Sequence, residues 1–456
     1  MTLIKSISGT RGTIGFEPGN NLTPLDIVEM SAAYATIVLL ANQEIKPTVI
    51  VGRDARISGQ MVSQLCIHTL AGMGINVLDA GLSTTPAVEM AVPRHHAQGG
   101  IIITASHNPR EWNALKFLNE KGEFISALDG AEIIEIANQK LFNFADVDHL
   151  GTVTTITGII DEHIHDILLL PLVRVPQIKE QKYKIVVDCI NSTGAISIKP
   201  LLEQLSCEVV LINEEMTGDF AHNPEPLPAN LIDLCAAVKH ERADLGIAVD
   251  PDVDRLSFVC PDGTLLGEEN TLVAVAKYIL KHTPGATVSN LSSTRGLADI
   301  TQEVGQKYYS AAVGEVNVVN KMKDINAVIG GEGNGGVIYP TLHYGRDALV
   351  GVALLLSYLA TEKITLNDLK NLLPKYEISK NKLALDNSVD TRTIISQLAD
   401  LYANERINIE DGLKIDFAEG WVHMRKSNTE PIIRIYAESH DITTAEKLIQ
   451  KVKVIL

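Results

Sequence analysis

The sequence predicts an α/β protein in which three related α/β domains surround a central cleft and a smaller α+β domain closes the chain. Three observations point there. A chain of 456 residues exceeds what one hydrophobic core supports and suggests about three or four domains. One rhythm occurs three times: a β-branched run, a polar loop carrying Gly, then a helix-like stretch. Beyond Pro374 the chain abandons that rhythm for alternating apolar and polar positions.

In the first domain, expected over 1–152, TVIVGRDARISG from Thr48 opens the rhythm and INVLDAGLSTTP from Ile75 supplies a second run. GGIIITASHNP from Gly99 is a third run, which leaves its strand for an unusual loop. In the second domain, expected over 153–256, the same places are taken by KIVVDCINSTG from Lys184, CEVVLINEEMTG from Cys207 and ADLGIAVDPDVDR from Ala243. In the third, expected over 257–373, they are taken by ATVSNLSSTRG from Ala286, KYYSAAVGEVN from Lys307 and INAVIGGEGNGG from Ile325. The unusual loop recurs in order but not in spacing: 52 residues separate Asp54 from Ser106, 62 separate Asp188 from Asp250, and 40 separate Ser292 from Glu332. Ligands of open α/β sheets collect beyond the carboxyl ends of the strands, so three such loops point into one cleft. ALVGVALLLSYLA, residues 348–360, is too short to span a bilayer and reads as a buried helix. In the last domain, expected over 374–456, LKIDFAEGWVHMRKSNTEPIIRIYAES alternates across at least two strands and TTAEKLIQKVKVIL closes as a helix.

A composition of 45% apolar and 21% charged residues is that of an ordinary globular protein, and the net charge is −17. Nucleic acid and anionic membrane both need a basic surface, so neither is expected as a partner. An anionic ligand must instead meet locally concentrated Arg and Lys. The five cysteines are odd in number and contain no C-x-x-C, which fits reduced thiols and neither a disulfide framework nor a cysteine metal site. MTLIKSISGTRG turns polar and glycine-rich before a signal-peptide apolar region forms. A soluble, cytoplasmic protein acting on small molecules is the expectation.

Five loops carry residues able to do chemistry. In ITASHNPREWNALKF, residues 103–117, Ser106 lacks the G-x-S-x-G frame of a hydrolase elbow. Thr104, Ser106 and Asn108 could simply cap a helix with Pro109 in its first turn; alternatively Ser106 offers a nucleophilic hydroxyl. In DPDVDR, residues 250–255, the alternating Asp250, Asp252 and Asp254 present hard oxygens suited to magnesium when a phosphate completes the shell. The bland reading is a solvated Asp-rich turn. GGEGNGG, residues 330–336, is either a hairpin turn or a close-approach loop offering Glu332 and Asn334 to a polyhydroxylated ligand. RKSNTEPIIR, residues 425–434, is a solvated hairpin or a phosphate clamp of Arg425, Ser427, Asn428 and Thr429. SGTRG, residues 8–12, puts Arg11 between glycines and alone reads as a plain loop. Together the loops supply a hydroxyl, a cation triad, a sugar-sized polar loop and a phosphate clamp, the set that phosphoryl transfer requires.

Taken in order over essentially the whole chain, SGTRG, TASHNP with its downstream Lys, DPDVDR, the G-E-x-N-G loop and RKSNTEP resemble the α-D-phosphohexomutase family, which includes phosphoglucomutases, phosphomannomutases and phosphoglucosamine mutases. The resemblance implies four domains around a central cleft, with Ser106 carrying a phosphoryl group. Asp250, Asp252 and Asp254 would hold Mg²⁺ against the phosphoserine. Arg11 and Lys116 match positions that assist proton and phosphoryl transfer, Lys116 reaching back from one or two helical turns later, and His107 and Arg255 line the same centre. A lysine acting as base would need its pKa depressed toward neutrality. Glu332 would bind sugar hydroxyls, and Arg425, Ser427, Asn428 and Thr429 the phosphate that is not reacting. Two transfers through a hexose 1,6-bisphosphate, which turns end for end, would interconvert hexose 6-phosphate and 1-phosphate.

Two departures stand out. Asn334 and Gly336 replace the Ser and His of the G-E-x-S-G-H form, with His343 and Arg346 as candidate substitutes for the missing histidine. Pro251 replaces the commoner Gly of the aspartate loop and stiffens it without removing a ligand. The G-E-G-N-G-G form resembles the phosphoglucosamine mutases of archaea and some bacteria, so glucosamine phosphate is the expected substrate, with a phosphomannomutase/phosphoglucomutase as the alternative. Readings of another class are a serine hydrolase using Ser106 and His107, or a non-catalytic sugar-phosphate binding protein. A homodimer is admissible.

Overall fold

The computed structural model describes residues 2–6, 9–384, 391–426 and 432–453. Its first three domains share one sheet order. In the first, strands Asn76–Leu82, Thr48–Arg53 and Gly99–Ile103 lie side by side in parallel, and Trp112–Leu118 returns antiparallel on the far side. The second repeats this with Glu208–Ile212, Lys184–Asp188, Leu245–Val249 and the antiparallel Leu256–Val259. The third uses Tyr308–Ala311, Thr287–Asn290, Ile329–Glu332 and the antiparallel Gly336–Ile338. The repeat that residue spacing supported only weakly is thus a repeat of topology. Helices Gly59–Gly72, Gly194–Gln204 and Gly296–Glu303 follow the first strand of each copy, as the rhythm predicted. The central strands are buried along their length because helices cover both faces of a parallel sheet.

The antiparallel return corrects three sequence readings. No helix follows Pro109: WNALKFL is a strand, sending Leu115 and Phe117 into one core and Leu118 into another. SGTRG is not a plain loop, because Gly9–Thr13 forms a strand against that return, with Gly9 opposite Lys116 and Arg11 opposite Ala114. The boundary expected after residue 256 falls inside Leu256–Val259, which belongs to the second sheet. Similarly, Val153–Thr155, beyond the boundary expected at 152, pairs with Asn76–Leu82 at the edge of the first.

Helix Ala348–Glu362 is apolar all round and buried along nearly its whole length, as its sequence implied. It packs against Glu268–His282, Val175–Gln181 and Ile159–Leu169, in a core continuous between the second and third domains. Helix Pro24–Ala41 is also apolar, and by length and composition is long enough to cross a membrane. Here Ile27, Met30, Tyr34 and Val38 enter the first domain's core, and the helix packs against Gly59–Gly72 and Ala127–Gln139.

The fourth domain is a five-stranded antiparallel sheet, in the spatial order Glu377–Ala384, Ile432–Ser439, Gly420–Lys426, Leu413–Phe417 and Arg406–Asn408. Its alternation buries Leu413, Ile415, Val422, Ile433 and Ile435 against Leu448 and Ile449 of the closing helix Ile442–Lys453. The other face of the sheet meets the third domain, where Lys414 Nζ donates to the Leu291 carbonyl at 2.8 Å.

Candidate active site

The Ser106 loop is held in a strained shape from below. Ser106 has φ 47°, in the left-handed region that a side chain disfavours. Its amide donates to Thr104 Oγ1 at 2.9 Å, and Thr104 donates to Asp54 Oδ2 at 2.6 Å. The buried Arg56 pairs with Asp54 at 3.1 Å and spends its remaining donors on the carbonyls of Asn108 at 2.7 Å, Pro109 at 2.8 Å, Trp112 at 2.9 Å and Ser106. Thr104 therefore braces the loop and caps no helix. Arg56 was missed in the sequence; its only signal was a charged Asp-x-Arg in a segment read simply as a polar loop carrying Gly.

The aspartate loop is fixed from two sides. The Pro251 carbonyl accepts from Ser192 Oγ at 2.7 Å and Thr193 Oγ1 at 2.8 Å, both in the loop after Lys184–Asp188. From the first domain, Thr85 donates its amide to the Asp252 carbonyl at 2.9 Å and its hydroxyl to Asp252 Oδ2 at 2.6 Å. Thr85 is a second residue the sequence did not flag. Asp250, Asp252 and Asp254 are fully buried, each with a carboxylate oxygen within 4.8 Å of the others. Ser106 Oγ donates to Asp250 Oδ2 at 2.6 Å, joining the two loops across the domain boundary.

These three carboxylates fit a divalent cation. Asp252 Oδ1 and Asp254 Oδ1 are buried and accept no hydrogen bond among the described residues, an expensive state for hard oxygens unless a cation takes them. Burial, with Asp254 and Asp252 beside it, pushes the Asp250 carboxyl well above the usual carboxylate range. Burial would also raise Asp252, but Lys116 overrides it and holds that group below the range.

Lys116 Nζ lies 2.7 Å from Asp252 Oδ2 and 3.6 Å from Asp254 Oδ2. Burial would lower its pKa, yet the two aspartates outweigh burial and raise it. The lysine depressed toward neutrality is therefore not found; Lys116 is a charged ammonium. His107 Nδ1 is 3.4 Å from Ser106 Oγ. Burial, then Arg255, Arg11 and Arg346, push His107 well below the ordinary histidine value, so its ring is neutral. The short contact of Ser106 Oγ is with Asp250, at 2.6 Å, and its 3.4 Å separation from His107 is longer than the nucleophile–base hydrogen bond of a serine hydrolase pair. Arg255 pairs with Glu225 at 3.2 Å and keeps its Nε 3.8 Å from Asp254 and 3.9 Å from Asp250. Arg11 is lowered first by burial and then by the charges of Arg255 and Arg434. Positive charge from the first, second and fourth domains thus gathers at one place on an acidic protein.

The third-domain loop meets this centre through Arg346. Glu332 Oε1 accepts from Asn290 at 2.8 Å and from the Gly314 amide at 3.1 Å; Oε2 accepts from Arg346 at 2.8 Å and from Asn334 at 3.3 Å. Burial would raise Glu332, but Arg346 and Asn290 hold it below its ordinary value, as an ionised carboxylate. A Cβ placed on Gly336 would lie 2.3 Å from Arg346 Cδ. Arg346 therefore occupies the space that a side chain at position 336 would fill. His343, the other candidate substitute, lies 3.4 Å from Glu89 and 3.3 Å from Asp347 instead. In the fourth domain, burial lowers Arg425, whose strand position is opposite Arg434 and whose charge is felt by Glu332. Ser427, Asn428 and Thr429 lie outside the described residues.

Comparison with known proteins follows the same domain sequence. Residues 3–144, 161–263 and 268–376 match the phosphoglucomutase/phosphomannomutase alpha/beta/alpha domains I, II and III, and 382–453 match the C-terminal domain of that family. A phosphoglucomutase/phosphomannomutase of Thermococcus kodakarensis is 34% identical over 97% of this chain and 96% of its own length. A phosphoglucosamine/phosphogalactosamine mutase of Sulfurisphaera tokodaii is 31% identical over 98% of each. The crystal structure of a phosphoglucomutase/phosphomannomutase family protein from Burkholderia thailandensis superposes with a TM-score of 0.86 at 25% identity, covering 99% of this chain and 96% of that one. Matched domain by domain and end to end by relatives of nearly its own length, the chain belongs to the phosphoglucomutase/phosphomannomutase family and is a phosphohexomutase.

Proposed function

We propose that the enzyme interconverts glucosamine 6-phosphate and glucosamine 1-phosphate through a phosphoserine at Ser106 and a hexose 1,6-bisphosphate. The observation supporting the phosphoserine is the 2.6 Å contact from Ser106 Oγ to Asp250, beside two carboxylate oxygens that lack donors. Asp250, Asp252 and Asp254 would hold Mg²⁺ together with an oxygen on Ser106, and the ion would neutralise charge on the transferring group. The phosphorus–Oγ bond breaks as a bond to the sugar oxygen forms. Lys116, already charged, is in the state to protonate the departing serine oxygen. His107, held neutral, is in the state to take the proton of the sugar hydroxyl. Arg11, Arg255 and Arg425 bind phosphate, and the charge they gather serves either end of a bisphosphate that turns over.

The substrate choice rests on the Glu332 loop. Of the four contacts to this ionised carboxylate, the one from Asn334 is the longest, 3.3 Å. A 2-amino group on the sugar replaces that amide with a charged donor, and a charged hydrogen bond is about twice as strong as a neutral one. The Sulfurisphaera relative's name agrees with this reading; the Thermococcus relative's name favours a glucose or mannose ester. Phosphorus NMR with Mg²⁺ and a trace of hexose 1,6-bisphosphate separates them. Faster conversion of glucosamine 6-phosphate than of the glucose or mannose esters is expected. A preference for either neutral sugar overturns the substrate and leaves the phosphoserine chemistry intact.

A further inference from the structure

We propose a second cation site, formed by His163, His343 and Asp347, with the donor set of a borderline transition metal such as Zn²⁺. His163 Nε2 lies 2.8 Å and His343 Nε2 3.3 Å from the same oxygen, Asp347 Oδ2. One ligand atom from each residue lies within 4.8 Å of the other two. Imidazole and carboxylate bonds to zinc of about 2.0–2.2 Å place neighbouring tetrahedral ligands roughly 3.3 Å apart. The His343 separation already has that value, and the His163 separation needs to open by only a fraction of an ångström.

The surroundings aim these atoms at one point. Asp347 caps helix Ala348–Glu362, its Oδ1 accepting from the amides of Leu349 at 2.8 Å and Val350 at 3.1 Å. That leaves Oδ2 to the histidines. The two rings stand edge to face at 88°, centroids 6.1 Å apart, and both present Nε2 to that one oxygen. Behind His343 lies Glu89 of the first domain, only 2% exposed, with Oε2 3.4 Å from His343 Nδ1. A carboxylate in that place is what orients a metal-bound imidazole.

Two further atoms argue for a cation. Neither oxygen of Glu89 finds a hydrogen-bond partner among the described residues, though both are buried. Two imidazoles hydrogen-bonded to one carboxylate would satisfy Asp347 and leave Glu89 uncompensated. A cation on His343 places positive charge beside Glu89 and sharpens the Nδ1 proton toward it. Because His163 belongs to helix Ile159–Leu169, Glu89 to helix Thr85–Arg94 and Asp347 to the third domain, the ion would pin three domains' segments together.

The full-length enzyme, stripped with a chelator and saturated with Mg²⁺, is titrated with Co²⁺, and a Zn²⁺-loaded sample is measured by X-ray absorption. One retained equivalent is expected, with visible bands of low-coordinate Co²⁺ and scattering from two imidazoles. His163→Gln and His343→Gln each lose that equivalent, and Asp252→Asn keeps it. No retention against Mg²⁺, an oxygen-only zinc environment, or loss in Asp252→Asn but not in His163→Gln overturns the site. If either histidine variant fails to fold, the absorption spectrum of the unaltered enzyme still decides.

Discussion

Arg346 ties the aspartate loop to the Glu332 loop: one guanidinium donates to Asp254 Oδ2 at 2.7 Å and to Glu332 Oε2 at 2.8 Å. Its Nε holds Glu315 at 3.1 Å, so the fork is clamped between three buried carboxylates. A lysine ammonium is a single point charge and cannot span them in a plane. Arg346→Lys should keep the fold and lower kcat/KM by about 100-fold, the scale of an ångström-sized misplacement. Steady-state kinetics beside a melting curve checks this, and unchanged kinetics would show that the bridge is idle. Gly336→His, which supplies the histidine of the G-E-x-S-G-H form, should fail too, since its Cβ would meet Arg346 Cδ at 2.3 Å.

Ser106→Ala should abolish mutase turnover with little change in stability, because Asp250 loses one donor but keeps the amides of Asp254 and Arg255. Intact-mass analysis of the unaltered enzyme should find a phosphate that maps to Ser106 and is absent from the variant. Removing divalent cations should stop turnover reversibly. A phosphate mapped to another residue, or turnover undiminished by a chelator, would count against the assignment.

Arg56 has no reach to substrate in its present role, yet the Ser106 loop hangs from it. Arg56→Met leaves Asp54 as a buried carboxylate without its cation and four loop carbonyls without their donor. Losing one partner of a buried pair costs about 3–5 kcal/mol. Denaturant unfolding should show a drop of that order in the transition reporting the first domain. A variant as stable as the parent, and as active, would mean the loop holds its left-handed serine unaided.

Much of this was legible in the sequence because the chemistry sits in loops of unusual composition. Three acids alternating in DPDVDR announce a buried cluster of carboxylates fit for a cation, and the three-fold rhythm announces three sheets. What escaped was whatever depends on a partner far along the chain. WNALKF reads equally as a helix or a strand until Leu115 and Phe117 are seen to enter one core while Lys116 reaches Asp252. Arg56 is a single polar residue in a loop and Thr85 one at the start of a helix, and their importance lies in carbonyls and carboxylates 50 or more positions away. The state of Lys116 could not be read at all. Burial and two aspartates act on it in opposite directions, and only the distances say which wins.

Lys414 offers a test of how the fourth domain rests on the third. Its ammonium donates to the Leu291 carbonyl at 2.8 Å and stands 4.1 Å from the centre of the Trp421 ring. Burial lowers its pKa from 10.5 to about 8, with Asp416 and Glu438 only partly opposing. A base depressed in the folded state binds fewer protons there than when unfolded, so stability rises with pH across the interval between the two values. The contribution is full above the unfolded value and is lost as pH falls through the folded one. Lys414→Met removes this titration while keeping most of the stem's packing on Trp421. The stability of the unaltered enzyme minus that of the variant should therefore climb between about pH 8 and 10.5 and level off on either side. Measuring unfolding free energy for both proteins across that interval checks it. A difference that stays flat, or that falls as the pH rises, would show that Lys414 keeps an ordinary ammonium at the domain boundary.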